Sequence, residues 1–205
     1  MSELIGINLN INQIPIQTPP RSNNYLIANQ REVEKKNIEL ISDLLKGICD
    51  KNESQPINFN SNILKPFTTK TRPSISIKDY LLRLSKFTKM EESTMILVLI
   101  YIDRICNYNK IQLLYQNIFK IILASAFVAI KFNEDIHYSL EVYAKIGGVP
   151  PSELEYLEFH FLILIKFALN VNKTLYDKYS ESLTSFQDDD EEEEEEENEE
   201  EEENL

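Results

Sequence analysis

The chain has 205 residues, a length typical of one domain with flanking segments, and its composition excludes several classes of function. Its four glycines are too few and too scattered for a dinucleotide-binding fingerprint or a phosphate-binding P-loop. The two histidines and two cysteines lack the spacing of a zinc site, so we expect neither a metal nor a cofactor. Because the N-terminus does not resemble a signal peptide, Cys49 and Cys106 are expected to be free thiols of an intracellular protein.

The formal charge of −13 is concentrated near the C-terminus. Residues 188–203 contain 15 acidic side chains, and the 19 acidic residues outside this run nearly balance 21 Lys and Arg. The body therefore lacks the dense basic cluster typical of DNA-binding proteins, and we expect no nucleic-acid partner. Its longest strictly apolar run, Met95–Ile102, is far shorter than the roughly 20 residues of a membrane span, so we expect no membrane partner either.

The N-terminal part of the chain is predicted to contain three segments. Residues 1–30 are rich in Asn, Ile and Pro and are predicted to be disordered. Residues 31–50 are predicted to form an amphipathic helix, because apolar residues recur at helical spacing at Ile38, Ile41, Leu44, Leu45 and Ile48. Residues 51–66 are predicted to be a linker.

A helical domain is predicted over 67–186, followed by a disordered acidic tail over 187–205. The tail is consistent with a solubilising run, an autoinhibitory segment or a binding site for basic partners. In the domain, apolar periodicity predicts five helices, at about 77–87, 92–106, 116–133, 139–146 and 152–169. The second and third helices are apolar nearly all round, which is typical of central helices in a bundle.

The helix ends have recognisable signals. Ser76 precedes Asp79 with the spacing of a capping box, and so does Ser152 with Glu155 at the predicted start of the fifth helix. The fourth helix is predicted to end at the Gly147–Gly148 pair, since glycine readily adopts positive φ.

Several other side chains have structural interpretations. Asp103 and Arg104 close an apolar helix and are predicted to form an internal ion pair or a C-terminal cap. Tyr101, Tyr143 and Phe167 are expected in the core.

Four segments, taken in order, resemble the cyclin box: "PSISIKDYLLRLSKF", "LIYIDRI", "VAIKFNED" and "YAKIGGVPPSELEYLEFHFL". The resemblance covers roughly Pro73–Val171 and is strongest to the phosphate-pathway (P/U) type of cyclin. It implies an all-α, five-helix bundle, preceded here by an extra helix. It also implies that the chain is not an enzyme but a regulatory subunit. Such a subunit binds and activates a cyclin-dependent Ser/Thr kinase as a heterodimer, and the kinase phosphorylates Ser/Thr-Pro proteins.

The resemblance assigns two kinase-contacting residues by motif, Lys131 in "AIKF" and Glu158 in "YLEFHFL". Glu158 stands nine residues before Phe167, the spacing found in the family. From its position alone, Lys131 is simply a basic residue near a helix C-terminus, which the helix dipole favours. The acidic doublet Glu134–Asp135 is expected to be solvated or to pair with kinase arginines.

Two departures from the family pattern leave alternatives open. Asn117 is followed by Ile-Phe-Lys where many members have His-Arg, and Ser74 stands where mitotic cyclins have an Arg that pairs with the equivalent of Asp103. A cyclin-fold scaffold or transcription-related adaptor that binds no kinase is therefore the alternative function. An enzyme is disfavoured because no nucleophile–base constellation is visible. We expect a location in the cytoplasm, the nucleus or both.

Overall fold

The computed structural model describes residues 24–55 and 61–183, which form helices and loops and contain no β-strand. The helices are α1 (Asn24–Glu53), α2 (Ser61–Leu64), α3 (Ile77–Thr88), α4 (Glu92–Asn109), α5 (Ile118–Asn133), α6 (Leu140–Gly147) and α7 (Pro151–Leu164). Residues 173–183 are also helical. The predicted all-α fold is confirmed, with α3–α7 as the five helices of the bundle and α1 as the additional helix.

Helix α1 is longer than the predicted 31–50 helix at both ends. It begins at Asn24, inside the segment predicted to be disordered, and continues to Glu53, inside the predicted linker, which also contains α2. The reason is that no proline stands between Pro20 and Pro56, so nothing in this interval forces the helix to stop. The predictions for residues 1–23 and for the acidic tail lie outside the described residues.

Helix α5 is the centre of the bundle, as predicted. Every residue from Ile121 to Ile130 is buried, and α5 packs against α3, α4 and α7. Small side chains in its middle, including Ala124 and Ala129, allow close approach of neighbouring helices. The buried Ser125 hydroxyl donates a hydrogen bond of 2.9 Å to the Val98 carbonyl of α4, which satisfies the one polar side chain in this buried run.

Helices α1 and α3 pack together on one side of the bundle. The predicted cap of α3 is confirmed, because the Ser76 hydroxyl accepts a hydrogen bond of 3.0 Å from the Asp79 N–H. Lys78 of α3 forms an ion pair of 2.7 Å with Glu39 of α1. The apolar stripe of α1 therefore packs onto the bundle itself.

The start of α7 differs from the prediction. Its N-cap is Pro150 and its first helical residue is Pro151, with no side-chain cap hydrogen bond, so Ser152 and Glu155 do not form the predicted capping box. Proline is favoured at the first helical position because its φ is already helical and its missing N–H is not needed there. The helix therefore starts before Ser152, which lies inside the first turn, and Glu155 is exposed.

The end of α7 is five residues earlier than the predicted Leu169. Helix α7 ends at Leu164, and both Lys166 (φ 55°) and Phe167 (φ 52°) have left-handed backbone conformations. The Phe167 N–H donates a hydrogen bond of 2.9 Å to the Leu162 carbonyl, as in other left-handed helix terminations. The chain turns away here and does not extend the helix over the bundle.

Candidate functional site

Lys131 and Glu158 form an ion pair across two helices. Lys131 lies in the last turn of α5 and Glu158 in the middle of α7, and the Lys131 Nζ to Glu158 Oε1 distance is 2.5 Å. The Lys131 Nζ also lies 5.0 Å from the centroid of the Phe127 ring. The two residues that the sequence motif singles out are thus in contact, and the Lys131 ammonium group lies between the Glu158 carboxylate and the Phe127 ring.

Exposed apolar side chains lie next to this pair in the chain. Phe132 follows Lys131 and is 53% exposed, while Phe159 follows Glu158 and is 58% exposed. Ile163, one helical turn after Phe159, is also exposed and therefore shares its face of α7. We call Lys131, Phe132, Glu158, Phe159 and Ile163 the α5–α7 surface. Exposed apolar side chains of this kind are typical of a protein-binding site.

The same two helices are joined by a second ion pair, which the sequence analysis did not foresee. Lys120 near the start of α5 and Glu153 in the first turn of α7 are 2.8 Å apart. Both side chains are largely shielded from solvent, whereas Lys131 is more exposed. Among the described residues, α5 and α7 are therefore joined by two ion pairs in different surroundings.

The two residues of the acidic doublet after α5 lie in different environments. Asp135 is exposed, but Glu134 is half-buried and accepts a hydrogen bond of 3.0 Å from the Glu91 N–H at the start of α4. Burial raises the pKa of the Glu134 carboxyl above its ordinary value, although this hydrogen bond opposes the shift. Glu134 therefore contacts the bundle through this hydrogen bond. The expectation of a fully solvated side chain does not hold for Glu134.

The comparison with known families fits this arrangement. A family model described as "Cyclin" matches residues 29–169, which is more than half of the chain. The chain belongs to the cyclin family. The match begins well before Pro73, so α1 is included in the similarity as well as the five-helix bundle.

Individual relatives place this cyclin in the P/U type. It is 34% identical to "Cyclin-U4-2" of Arabidopsis thaliana over 155 residues, which is 74% of this chain and 71% of the relative. It is 32% identical to "PHO85 cyclin-like protein psl1" of Schizosaccharomyces pombe over 166 residues, covering 75% and 68%. It is 29% identical to "Cyclin-P4-1" of Oryza sativa subsp. japonica over 153 residues, covering 72% of each chain.

Asp103 and Arg104 of this cyclin have separate partners. Asp103 accepts a hydrogen bond of 2.7 Å from Asn107 and also interacts with the Tyr179 hydroxyl. Arg104 donates hydrogen bonds to the carbonyls of Ala168 and Asn170, which follow α7. Neither predicted role is met as stated, since Asp103 pairs with uncharged groups and Arg104 binds carbonyls of the loop that follows α7.

The Gly147–Gly148 pair ends α6 as predicted. Gly148 is the C-cap with φ 75°, a conformation that costs glycine little. Gly147 has a second constraint, because a Cβ at this position would lie 2.5 Å from a methyl carbon of Leu123 in α5. Gly147 therefore allows close packing against α5, and Gly148 allows the left-handed conformation that ends α6.

The two cysteines of the chain both lie among the described residues. Cys49 and Cys106 are free thiols, and burial raises the pKa of each to about 12. Within 24–55 and 61–183, no group of three or more His, Cys, Asp or Glu side chains could hold a metal ion. In the same ranges, no helix combines the length and the hydrophobicity required to cross a membrane.

The exposed position of Phe167 is the main feature that sequence reasoning missed. Tyr101 and Tyr143 are buried as predicted, but Phe167 is 62% exposed. Apolar periodicity could not separate Phe167 from core residues, because the early end of α7 changes the direction in which the chain continues. No glycine or proline signals this end in the sequence.

Proposed function

We propose that this cyclin is the regulatory subunit of a cyclin-dependent Ser/Thr protein kinase, which it binds through the α5–α7 surface and activates. Membership of the cyclin family and similarity to a relative named "PHO85 cyclin-like" support a kinase partner. The observation that carries the proposal is the Lys131–Glu158 pair, which joins the two motif residues at 2.5 Å beside exposed aromatic side chains.

The proposed mechanism is a shift of the kinase between two arrangements. A cyclin that binds the active arrangement more tightly than the inactive one increases the active fraction by its difference in affinity. In kinases, activity requires the ion pair between the strand β3 Lys and the αC Glu, together with an ordered activation segment. This cyclin supplies no reacting group, and its partner phosphorylates the Ser/Thr-Pro substrates.

The α5–α7 surface has the chemistry that such a contact needs. Interface energy is concentrated in a few central residues, often aromatic, surrounded by groups that exclude water. Phe132 and Phe159 are exposed aromatic residues of this kind. Lys131 and Glu158 neutralise each other, so a partner that covers them does not bury an unpaired charge, which would be costly.

The test compares two double variants of the full-length protein. Lys131→Ala with Glu158→Ala removes the pair on the proposed surface, and Lys120→Ala with Glu153→Ala removes the other α5–α7 pair. We expect the first variant to bind the kinase about thirtyfold or more weakly, which corresponds to the loss of a hot spot. The control variant should bind like the wild type. Capture from lysate of the source cell, quantitative binding and a kinase assay measure these effects, with circular dichroism to verify folding.

The outcomes separate the contact assignment from the function. If both double variants activate a kinase normally, the α5–α7 surface is the wrong contact. If the wild-type cyclin captures other proteins and neither binds nor activates any kinase, the scaffold or adaptor hypothesis replaces the proposal.

A further inference from the structure

A cavity of about 400 Å³ lies between α1, α4 and the 173–183 helix. An engineered apolar cavity of about 150 Å³ already accepts benzene, so this larger volume is sufficient for a small molecule with two fused rings. Packing normally leaves few voids larger than a water molecule inside a protein. The residues of the α5–α7 surface do not line this cavity, so it is a separate candidate site.

Most of the cavity wall is apolar. Leu45 of α1, Ile102 of α4 and Leu113 in the loop after α4 are buried, whereas Leu44 on the same wall is 38% exposed. The cavity therefore has a buried apolar floor and an opening toward solvent. A wall of this kind favours a ligand with an apolar body, which gains free energy when it leaves water.

Polar groups meet on one side of the cavity, where α4 contacts the 173–183 helix. The Asp103 carboxylate accepts a hydrogen bond of 2.7 Å from Asn107 and interacts with the Tyr179 hydroxyl. An ionised carboxylate can accept about four hydrogen bonds, so Asp103 has the capacity for a further donor. Because Asp103 is also exposed, the donor group of a ligand can reach it.

The charges on the cavity wall balance each other. Among the described residues that line it, only Asp103 and Lys178 carry a formal charge. Burial raises the pKa of the Cys106 thiol to about 12, and burial together with the hydrogen bond to Asp103 raises the pKa of Tyr179 to about 12, so both groups are neutral. A cationic ligand would meet Lys178 and an anionic ligand would meet Asp103. The wall therefore favours an uncharged ligand, which loses little hydration on entry.

We propose that this cavity binds an uncharged aromatic molecule with two fused rings, whose single hydrogen-bond donor contacts the Asp103 carboxylate. The rings pack against the apolar wall formed by α1 and α4, and the donor is an O–H of the phenol type or an N–H of the indole type. Because the α5–α7 surface is not part of the site, this ligand does not compete with a partner bound there.

Isothermal titration calorimetry of the full-length protein with indole and with benzofuran tests the proposal. The two probes have the same size and shape, but benzofuran has an oxygen atom where indole has its N–H donor. A ligand with about nine non-hydrogen atoms is expected to bind with a Kd on the order of 10⁻⁴ M. Since a hydrogen bond to a charged group changes affinity by about tenfold or more, we expect benzofuran to bind about tenfold more weakly than indole.

A substitution at Asp103 tests the contact with the donor. Asp103→Asn keeps the shape of the side chain but leaves an uncharged acceptor, and it should narrow the difference between the two probes to about threefold or less. Asp177→Asn is the matched control, because Asp177 lies on the 173–183 helix but does not line the cavity, and it should leave both affinities unchanged. Circular dichroism verifies folding, and the comparison of the two probes on the wild-type protein stands without either variant.

The two cysteines report where the probe binds. Cys106 lines the cavity and is half-buried, whereas Cys49 is fully buried and is not part of the wall. Methyl methanethiosulfonate is a small uncharged thiol reagent, and mass spectrometry of tryptic peptides separates the two modified sites. Indole at ten times its Kd should slow the modification of Cys106 by about tenfold and leave Cys49 unchanged. Equal affinities for indole and benzofuran, no detectable binding of indole, or an unprotected Cys106 would overturn the proposal.

Discussion

Helices α5 and α7 are both rich in apolar residues, but the fold buries them to very different extents. Helix α5 is buried continuously from Ile121 to Ile130. Helix α7 buries Leu154, Leu157 and Phe161 and leaves other large apolar or aromatic side chains exposed, namely Tyr156, Phe159 and Ile163. Packing in the core therefore explains why α5 is apolar on all sides, but it explains the apolar residues on only one face of α7. The uncovered face of α7 is better explained by binding.

The largest effect on stability is expected when the buried aromatic ring of α7 is removed. Phe161 is fully buried and packs edge-on against Phe67, with ring centroids 6.4 Å apart. Phe161→Ala should lower the free energy of unfolding by about 3–5 kcal/mol, because it leaves a cavity in the core. Urea denaturation followed by circular dichroism measures this, and a loss below about 1 kcal/mol would mean that α7 is not anchored as described.

Phe159→Ala makes the same chemical change on the exposed face of the same helix. It should change the unfolding free energy by less than about 0.5 kcal/mol, since Phe159 is mostly in solvent. Under the proposed function it should nevertheless weaken kinase binding by about tenfold. A stable variant that binds the kinase normally would remove Phe159 from the binding surface.

A methyl group added between α6 and α5 tests how tightly the central helix is packed. Gly147→Ala would place a Cβ 2.5 Å from Leu123, which is itself buried, and should destabilise the protein by about 1–3 kcal/mol. Gly47→Ala is the matched control, because no atom lies within 4 Å of its added Cβ. In the interior of α1, that change should stabilise the protein by roughly 0.5–1 kcal/mol. Thermal unfolding of both variants checks the opposite signs, and equal effects would contradict the packing at Gly147.

The segment after α7 can be loosened by removing one hydroxyl. The Tyr101 hydroxyl of α4 donates a hydrogen bond of 2.7 Å to the Leu169 carbonyl. Tyr101→Phe should cost about 1 kcal/mol in unfolding free energy. Hydrogen exchange should increase at residues 167–170 and remain unchanged in α5. Increased exchange throughout α5 would show instead that the substitution disturbs the core.

The smallest expected effect concerns the end of α5 and depends on pH. The pKa of Glu134 is raised from 4.5 in the folded protein, so the folded state holds this proton more tightly than the unfolded state. The favourable contribution of protonated Glu134 to the free energy of unfolding is present below about pH 4.5. It is lost as the pH rises through the folded-state pKa. Glu134→Gln keeps the hydrogen-bond acceptor without ionising, and should therefore be more stable than the wild type at pH 7.

We expect this difference to be only a few tenths of a kcal/mol, because Glu134 is partly solvated, and to vanish at pH 4. Urea titrations of both proteins at the two pH values measure it. Asp135→Asn, on the exposed neighbour, controls for the loss of one negative charge. A variant less stable than the wild type at pH 7 would reverse the assigned direction.

Local sequence patterns predicted the elements of this fold better than their ends. The apolar periodicity correctly indicated central positions for α4 and α5, and Ser76 caps α3 as expected. The failures at α7 have physical causes. Pro151 starts the helix before the apparent capping serine, and two residues other than glycine adopt left-handed conformations at its end. The packing that favours these conformations comes from distant parts of the chain, so periodicity does not reveal it.

The candidate site was predictable in identity but not in arrangement. Motif similarity singled out Lys131 and Glu158, which are 27 positions apart, but it did not indicate that they contact each other. The partners of Asp103 and Arg104 likewise come from long-range packing. The role of these residues toward a kinase remains a prediction, whereas their positions on the bundle are now defined.

The turn after α7 has one further consequence for recognition. The carbonyls of Ala168, Leu169 and Asn170 are all held by hydrogen bonds from Arg104 and Tyr101 of α4. A left-handed conformation costs a residue other than glycine roughly 1–2 kcal/mol. Lys166 and Phe167 already have this conformation in the folded protein, so binding does not have to impose it. A partner that contacted the exposed ring of Phe167 would therefore meet a backbone that is already fixed. At this edge we expect nearly rigid docking, with little conformational entropy lost by the cyclin when it binds.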